Sequence, residues 1–206
     1  MTDLLDVLNL AGTFAFAISG ATVAVQRRMD IFGVMVLAFI TAVAGGVVRD
    51  LIIGAVPPVA FQSWHVLALT VGAALLAFFA SRLVDRIHHA VLLFDAAGLG
   101  FFAVDGTQRA LVHGIDPVMA GTLGLVTGIG GGIMRDLLSG RKPAVLSSGF
   151  YASAAIAAIV LILIAHYAGF AITGGIALAA VALCFLLRVL AIYGKWNLPS
   201  APTGAQ

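Results

Sequence analysis

Residues 130–136 read Gly-Gly-Gly-Ile-Met-Arg-Asp, and residues 44–50 read Ala-Gly-Gly-Val-Val-Arg-Asp. Both stretches lie inside long apolar runs. There each glycine weakens a helix by about 1 kcal/mol relative to alanine, and a charged side chain is expensive to bury. Because the chain carries this unfavourable combination twice, we take the two stretches as the elements around which the fold is organised.

The composition indicates the environment in which the chain folds. Of its 206 residues, 62% are apolar and 10% are charged, whereas soluble domains are about half apolar and about a quarter charged. A soluble domain of this length could not bury so much apolar surface, so the sequence predicts an all-α polytopic membrane protein. The net charge of +2 gives no reason to expect a nucleic-acid partner, and a single cysteine excludes an internal disulfide.

Seven segments of the chain meet the requirement of about 20 mostly apolar residues for a membrane-spanning helix. They lie at approximately 4–25, 31–54, 64–82, 90–111, 117–140, 147–167 and 171–193. Because the connections are short, we expect a single transmembrane domain over residues 1–206. The tail at 197–206, which holds two prolines and a glycine, is predicted to be disordered.

The chain contains an internal repeat with an offset of 86 residues. The same offset aligns many positions without a gap, among them Gly12 with Gly98, Phe16 with Phe102, Gly20 with Gly106, Thr41 with Thr127 and Arg49 with Arg135. Each unit, predicted at 4–82 and 90–167, contains three spans, so the second unit crosses the membrane in the opposite sense. The sequence thus predicts two inverted three-helix repeats followed by a seventh helix at 171–193, as in many transport proteins.

Basic residues are concentrated on one side of the predicted spans. The loops of that side carry Arg27, Arg28, Arg82, Arg86, Arg141, Lys142 and Lys195, whereas Arg109 is the single basic candidate on the other side. Cytoplasmic loops are enriched in lysine and arginine. We therefore expect the N-terminus outside and the C-terminus in the cytoplasm.

The second and fifth helices are predicted to be kinked or locally unwound by glycines past their midpoints. The glycines are Gly45, Gly46, Gly130, Gly131 and Gly132. Matching interruptions in an inverted repeat are typical of a transport site, because freed carbonyl groups must find protein, water or an ion. We expect hydroxyls to face the ion as well, from Ser19, Thr41 and Thr127. The alternative is that the glycines only allow close helix packing.

The arginines of both motifs are expected to face the interior of the bundle and to find acidic partners there. Their depths in the helices predict two layers of charge, Arg49 with Asp105 and Arg135 with Asp95. The adjacent acids, Asp50 and Asp136, project about 100° away and are not expected to pair with the preceding arginines. The alternative is that each arginine only stabilises the C-terminal end of its helix.

The fourth helix is the most polar span. Asp105, Arg109 and His113 are four residues apart and share a face, which indicates a water-filled pathway or a gate. The alternative is an Asp105–Arg109 pair at an interfacial helix end, with His113 exposed. Span ends carry aromatic residues that are typical of interfacial anchors, namely Trp64, Tyr151, Tyr167, Tyr193 and Trp196.

The sequence holds no recognisable catalytic or cofactor motif. Its serines have no neighbouring base, its histidines lack metal-ligand spacing, and it has no nucleotide-binding loop. These features predict a protein that is not an enzyme and needs no cofactor or metal.

The doubled motif indicates a family. Together with Phe-Asp-Ala-Ala-Gly-Leu-Gly at 94–100 and Gly-Thr-Gln-Arg-Ala-Leu at 106–111, it resembles the prokaryotic TRIC family of trimeric intracellular cation channels, over residues 4–193. The same bacterial domain is also labelled a glycine transporter.

The resemblance implies a homotrimer in the bacterial inner membrane, with a pore in each protomer that admits monovalent cations, chiefly potassium, with sodium as a second candidate. The pore would follow the kinked second and fifth helices, and Arg109 matches the basic position proposed to influence gating. The chain lacks the basic cytoplasmic tail of animal members, so we do not expect it to share their role in calcium stores.

Three functions are open at this point. The first is a passive, potassium-permeable cation channel. The second is a secondary transporter of glycine or another small zwitterion, whose carboxylate would meet Arg49 or Arg135. The third is a membrane scaffold without transport. The arginines could instead bind an anionic lipid headgroup, which would make a bound lipid a partner besides the bilayer itself.

Overall fold

The computed structural model describes residues 2–80, 90–147, 150–194 and 196. In these ranges all regular structure is helical, as the sequence predicts. The helices are α1 (Thr2–Gln26), α2 (Ile31–Ile52), a 3-10 turn (Val59–Phe61), α3 (Trp64–Phe79), α4 (Ala90–Val112), α5 (Pro117–Leu138), α6 (Ala144–Ser147), α7 (Ala152–Tyr167) and α8 (Gly174–Gly194). The expected disordered tail lies outside the described residues, as do Arg82, Arg86 and Lys195.

Five of the described helices, α1, α2, α4, α5 and α8, are long and apolar enough to cross a membrane. The apolar helices α3 and α7 have 16 residues each. At 1.5 Å per residue that length is about 24 Å, which is shorter than the roughly 30 Å hydrocarbon core. The chain is therefore an all-helical membrane protein, and the number of seven crossings stays a prediction.

Helices α1 and α4 form the centre of the bundle. In both, 72% of the residues in the apolar window are buried, against 33% in α8. Helix α1 packs on α2, α3 and α4, and α4 packs in turn on α5, α7 and α8. The rings of Phe16 and Phe102, one from each central helix, stack with centroids 5.4 Å apart. The polar residues of α1 and α4 consequently lie in the interior of the protein.

The packing repeats with the same offset as the sequence. Each close contact recurs between the equivalent residues: Gly12 against Phe102 and Gly98 against Phe16, then Gly20 against Thr41 and Gly106 against Thr127. Gly12 and Phe102 belong to different units, and in the equivalent contact the second unit supplies the glycine, Gly98, and the first unit supplies the phenylalanine, Phe16. The two units are therefore related by a pseudo-twofold axis. This arrangement is the one expected for an inverted repeat.

Helices α2 and α5 begin and end alike, which places the two Arg–Asp motifs at equivalent positions. The side chains of Asp30 and Asp116 accept backbone N–H groups of the first turn, as N-cap residues do. Each helix is followed by a glycine with positive φ, +73° at Gly54 and +66° at Gly140, which is a common way to end a helix. Both motifs therefore lie in the last helical turn.

Both helices run through their glycines without interruption. The locally unwound turn that the sequence predicted is not formed, and a bend within a continuous helix stays a prediction. The physical reason is contact between the helices. A β-carbon on Gly45 would collide with the backbone oxygen of Thr127, and one on Gly131 would collide with that of Thr41. Close packing, the alternative reading of these glycines, is what the structure shows.

Candidate functional site

Two largely buried groups of polar and charged side chains lie at opposite ends of the bundle, because α2 and α5 run in opposite directions. We name them the Arg49 cluster, comprising Arg49, Asp50, Asp105 and Arg109, and the Arg135 cluster, comprising Arg135, Asp136, Asp95 and Ser19. Between them lies the crossing of α2 and α5. Together these three parts form the candidate site.

In the Arg49 cluster, one carboxylate of α4 binds two guanidinium groups. Arg49 donates a hydrogen bond from Nη1 to Oδ2 of Asp105, so the predicted pair is present. Arg109 donates from Nε to the other oxygen of Asp105 at 2.9 Å. The Arg109 side chain also reaches Asp6, at 3.3 Å, near the exposed start of α1. The cluster thus links α1, α2 and α4.

In the Arg135 cluster, the arginine binds a carboxylate and a hydroxyl. Its Nη1 atom donates to Asp95 Oδ1 and to Ser19 Oγ, each at 2.6 Å, so the second predicted pair is also present. In the repeat, Ser19 is the equivalent of Asp105. A neutral hydroxyl of α1 therefore takes the place that a carboxylate of α4 holds in the Arg49 cluster.

The acids adjacent to the arginines do pair with them, and the prediction that they would not was wrong. Asp50 and Asp136 each accept a hydrogen bond from Nε of the preceding arginine at 2.9 Å. The spacing argument concerns the directions of the β-carbons, whereas the long arginine side chain folds back beyond them. The second oxygens bind backbone N–H groups, of Val59 at 2.8 Å and Ala144 at 2.9 Å. Each aspartate thus ties the following loop to the guanidinium.

The crossing of α2 and α5 is centred on two buried threonines. The hydroxyls of Thr41 and Thr127 donate to the carbonyl four residues earlier in their own helices, each at 2.6 Å. Their backbone oxygens pack on Gly131 and Gly45. Since the helices are in van der Waals contact here, an ion could pass along this crossing only after they separate.

The polar face predicted on α4 is assembled only in part. Asp105 and Arg109 meet, but His113 is exposed at the helix end, where its Nδ1 lies 2.8 Å from the carbonyl oxygen of Arg109. The alternative of an interfacial pair describes His113 correctly. It does not describe Asp105, which is fully buried and also binds Arg49.

Two residues of this region, Arg188 and Tyr151, were not predicted to belong to the site. Arg188 lies in α8 and is buried, with its guanidinium carbon 4.5 Å from the ring centre of Tyr151. Tyr151 is 2% exposed, so its prediction as an interfacial anchor was wrong. An arginine inside the apolar run of 174–194 was a usable signal, because a charge within a span is rarely without a function.

Two neighbouring cavities lie beside the Arg49 cluster. The larger, of about 440 Å³, is lined by residues that include Asp6, Asn9, Ser63 and His65. The smaller, of about 10 Å³, is lined by residues that include Asn9 and Arg49. That volume is about the size needed to hold one water molecule. Since Asn9 lines both, the cluster lies one water-sized space away from a larger vestibule.

Comparison with known proteins follows the same division of the chain. A family model described as glycine transporter matches residues 6–82 and 92–167. The two matches begin 86 positions apart, which is the offset of the repeat.

Similar curated proteins are membrane proteins from bacteria. The chain is 44% identical over 196 residues to a UPF0126 membrane protein of Streptomyces coelicolor, covering 95% of this chain and 89% of the relative. It is 38% identical over 192 residues to one of Deinococcus radiodurans, covering 91% and 89%. It is 33% identical over 192 residues to the UPF0126 inner membrane protein YadS of Escherichia coli K12, covering 93% and 92%.

Similar solved structures are TRIC channels. The TRIC trimeric intracellular cation channel orthologue from Rhodobacter sphaeroides superposes with a TM-score of 0.88 at 33% identity, over 93% of this chain and 98% of that one. A prokaryotic TRIC channel crystallised in 0.5 M KCl gives 0.88 at 32% identity, over 96% and 100%. These neighbours are channels or membrane transporters and not enzymes. The chain therefore belongs to the bacterial family described as glycine transporters, which includes the prokaryotic TRIC channels.

Proposed function

We propose that the protein is a passive, potassium-permeable channel for monovalent cations, including sodium, and that it works as a homotrimer with a pore in each protomer. The observation that carries the proposal is the match to TRIC cation channels over nearly the whole chain, 98% of it in one case at a TM-score of 0.85. The trimer is supported by the Rhodobacter sphaeroides orthologue, which is trimeric by name.

The geometry of the arginines supports cations as the permeant species. A free guanidinium 4 Å from a monovalent cation would repel it by about 4 kcal/mol at an effective dielectric constant of 20. In the structure Arg49 binds both Asp50 and Asp105, and Arg135 likewise binds two carboxylates. With their charges neutralised in this way, the arginines present little barrier to a cation.

The proposed path follows the crossing of α2 and α5 between the two clusters. It is lined by glycines and hydroxyls, namely Gly45, Gly46, Gly130, Gly131, Gly132, Ser19, Thr41 and Thr127. The structure has this crossing packed, so conduction requires a bend or separation of the two helices at their glycines. The charged side chains, including Arg109, then control the opening because they fix the ends of both helices.

The proposed placement is the bacterial inner membrane, with seven crossings, the N-terminus outside and the C-terminus in the cytoplasm. It is supported by the Escherichia coli relative, an inner membrane protein, and by the basic loops. Arg141 donates to Gln26 at 3.2 Å, so basic loops after α1 and α5 lie on the same side. The pKa of Arg141 is lowered mainly by partial burial of its guanidinium and, to a smaller extent, by the nearby charge of Arg27.

A transporter of glycine or another small zwitterion is the second candidate, because the description of the family model favours it. A substrate carboxylate would have to bind Arg49 or Arg135. Both guanidinium groups already bind carboxylates of the protein, so the substrate would have to displace one of them. This requirement favours the channel.

Two assays on the purified, reconstituted protein distinguish the candidates. A channel produces unitary currents in a planar bilayer in KCl, and its liposomes take up glycine no faster than protein-free liposomes. Saturable, gradient-driven uptake of glycine without unitary currents would instead establish the transporter. If protein shown to be folded and inserted gives neither unitary currents nor glycine uptake, the membrane scaffold is the function that remains.

A further inference from the structure

The two charge clusters differ at one pair of equivalent glycines, Gly46 and Gly132. A β-carbon on Gly46 would have one described neighbour within 4 Å, Arg49 Nη2 at 3.7 Å, and Gly46 lines the water-sized cavity. A β-carbon on Gly132 would lie 2.9 Å from the hydroxyl of Tyr151 and 3.1 Å from Asp95 Oδ1. The space that is open beside Gly46 is therefore filled by the tyrosine hydroxyl beside Gly132.

The open space beside Gly46 continues toward the surface. The water-sized cavity shares Asn9 and Val66 with the larger vestibule of about 440 Å³. In the repeat, Asn9 is the equivalent of Asp95. The water-sized cavity thus borders the Arg49 cluster at Asn9, and the counterpart of Asn9 in the Arg135 cluster, Asp95, lies with the hydroxyl of Tyr151 beside Gly132.

Tyr151 is held in place by the helix that stands outside the repeat. Arg188 of α8 lies over its ring at 4.5 Å, a cation–π distance, and donates from Nη1 to the carbonyl of Phe150 at 3.3 Å. The equivalent of Tyr151 in the first unit is His65, which is exposed. The difference between the two clusters therefore arises where α8 contacts the second unit.

The buried contact is not fully hydrogen-bonded. Among the described residues, Asp95 Oδ2, the Tyr151 hydroxyl and Arg188 Nε are buried without a well-formed hydrogen bond. A buried polar group without a partner is unfavourable, because it has lost its hydrogen bonds to water. Displacement of the ring would admit water to all three groups, so the packed arrangement can be exchanged for a hydrated one.

We propose that Tyr151 is a removable plug on the Arg135 side of the permeation path and that Arg188 is the positioning residue that holds it there. The inference rests on the proposed channel function. In the closed arrangement, a water-sized cavity borders the Arg49 cluster on the side of its vestibule, while the Tyr151 hydroxyl fills the equivalent place at the Arg135 cluster. Movement of α8 relative to α7 withdraws the ring and opens that side.

The test measures access to the Arg135 cluster without relying on current. In a Cys184→Ala background, Ser19→Cys places a thiol of nearly the same size as the serine beside Arg135, to which Ser19 is bonded at 2.6 Å. In the reconstituted protein, the modification of this thiol by silver ions is measured as the loss of subsequent labelling by a maleimide. We expect modification at least tenfold faster with Tyr151→Ala than with Tyr151 present. Tyr151→Phe keeps the ring and loses only the hydroxyl beside Gly132, so its rate should lie between the two.

Three controls separate a plug from general loosening. Ile162→Ala removes an equally buried side chain of α7 and should leave the Ser19→Cys thiol protected. Arg188→Leu should expose it, since the ring loses its support. Asn9→Cys, in the vestibule, should react at the same rate with Tyr151 or with Tyr151→Ala. Elution as a single species in size-exclusion chromatography verifies that each variant is folded.

Equal reaction rates of the Ser19→Cys thiol with Tyr151 and with Tyr151→Ala would overturn the plug, and so would exposure by Ile162→Ala to the same extent. In bilayer recordings, Tyr151→Ala should raise the open probability at least tenfold relative to the parent. If access changes as expected but no variant carries unitary current, the channel function fails and the plug stands. If currents are present but access is unchanged, the plug fails and the channel stands.

Discussion

At the scale of single residues, the two Arg–Asp motifs perform one structural task. The arginine joins the end of its helix to an acid of α4, and the aspartate joins the same guanidinium to the following loop. Asp50, for example, accepts from Arg49 at 2.9 Å and from the backbone of Val59 at 2.8 Å. Neither residue can therefore be exchanged without affecting both the helix end and the loop.

The residue with the greatest electrostatic importance is Asp105, because it binds two guanidinium groups in a buried site. Asp105→Asn keeps the shape and removes the charge, leaving Arg49 and Arg109 near a neutral amide. Removal of one partner of a buried ion pair destabilises a protein by about 3–5 kcal/mol. We expect a lower thermal unfolding temperature in detergent and an altered unitary conductance.

The matched control for that change is Asp6→Asn. Asp6 also contacts Arg109, at 3.3 Å, but its side chain is 64% exposed, and surface pairs contribute about 0–1 kcal/mol. Its unfolding temperature should stay close to that of the parent. Unaltered stability and conductance in Asp105→Asn would contradict the role given to the Arg49 cluster.

At the scale of helices, the crossing of α2 and α5 depends on glycines that leave no room for a methyl group. Gly45→Ala would drive a β-carbon into the backbone oxygen of Thr127, and overpacking of this kind costs about 1–3 kcal/mol. We expect a lower unfolding temperature and less folded protein, measured by fluorescence-detected size-exclusion chromatography on heating. Gly131→Ala, its equivalent against Thr41, should behave in the same way.

Gly72 in α3 provides the control, because a β-carbon there would meet nothing within 4 Å among the described residues. Gly72→Ala replaces glycine in a helix interior and should be neutral or stabilising by up to about 1 kcal/mol. If Gly45→Ala were as stable as Gly72→Ala, the crossing would not be closely packed in the membrane.

The sequence predicted the helices and the pairing of Arg49 and Arg135 with acids of α4, and it failed where the outcome depends on the conformation of a side chain or on close packing by another helix. Because caps and apolar length are local signals, α5 was expected at 117–140 and lies at Pro117–Leu138. The pairing of Arg135 with Asp95 followed from depth alone. The continuity of α2 could not be predicted, because Gly45 is held by Thr127 from the opposite repeat. The burial of Tyr151 likewise depends on Arg188 in α8.

At the scale of the whole molecule, the inverted repeat makes the two ends of the bundle similar but not identical, so its direction in the membrane matters. We expect the C-terminus in the cytoplasm, because the basic loops lie on that side. A reporter that is active only in the cytoplasm should be active when fused after residue 206, and a periplasmic reporter should be inactive there. In that orientation the Arg135 cluster and Tyr151 lie toward the cytoplasm, because α5 ends on the side of the basic loop that holds Arg141. The opposite pattern would place them toward the periplasm.

The central claim is that neutralised arginines and packed glycines serve the passage of cations, and the reversal potential in a planar bilayer tests it most directly. Under a tenfold KCl gradient, current through a channel selective for cations reverses with the dilute side about 59 mV positive. We predict a reversal potential close to that value. Reversal near zero would show that the channel does not select cations, and a negative value on the dilute side would show anions to be the permeant species. Either result would contradict the proposed function.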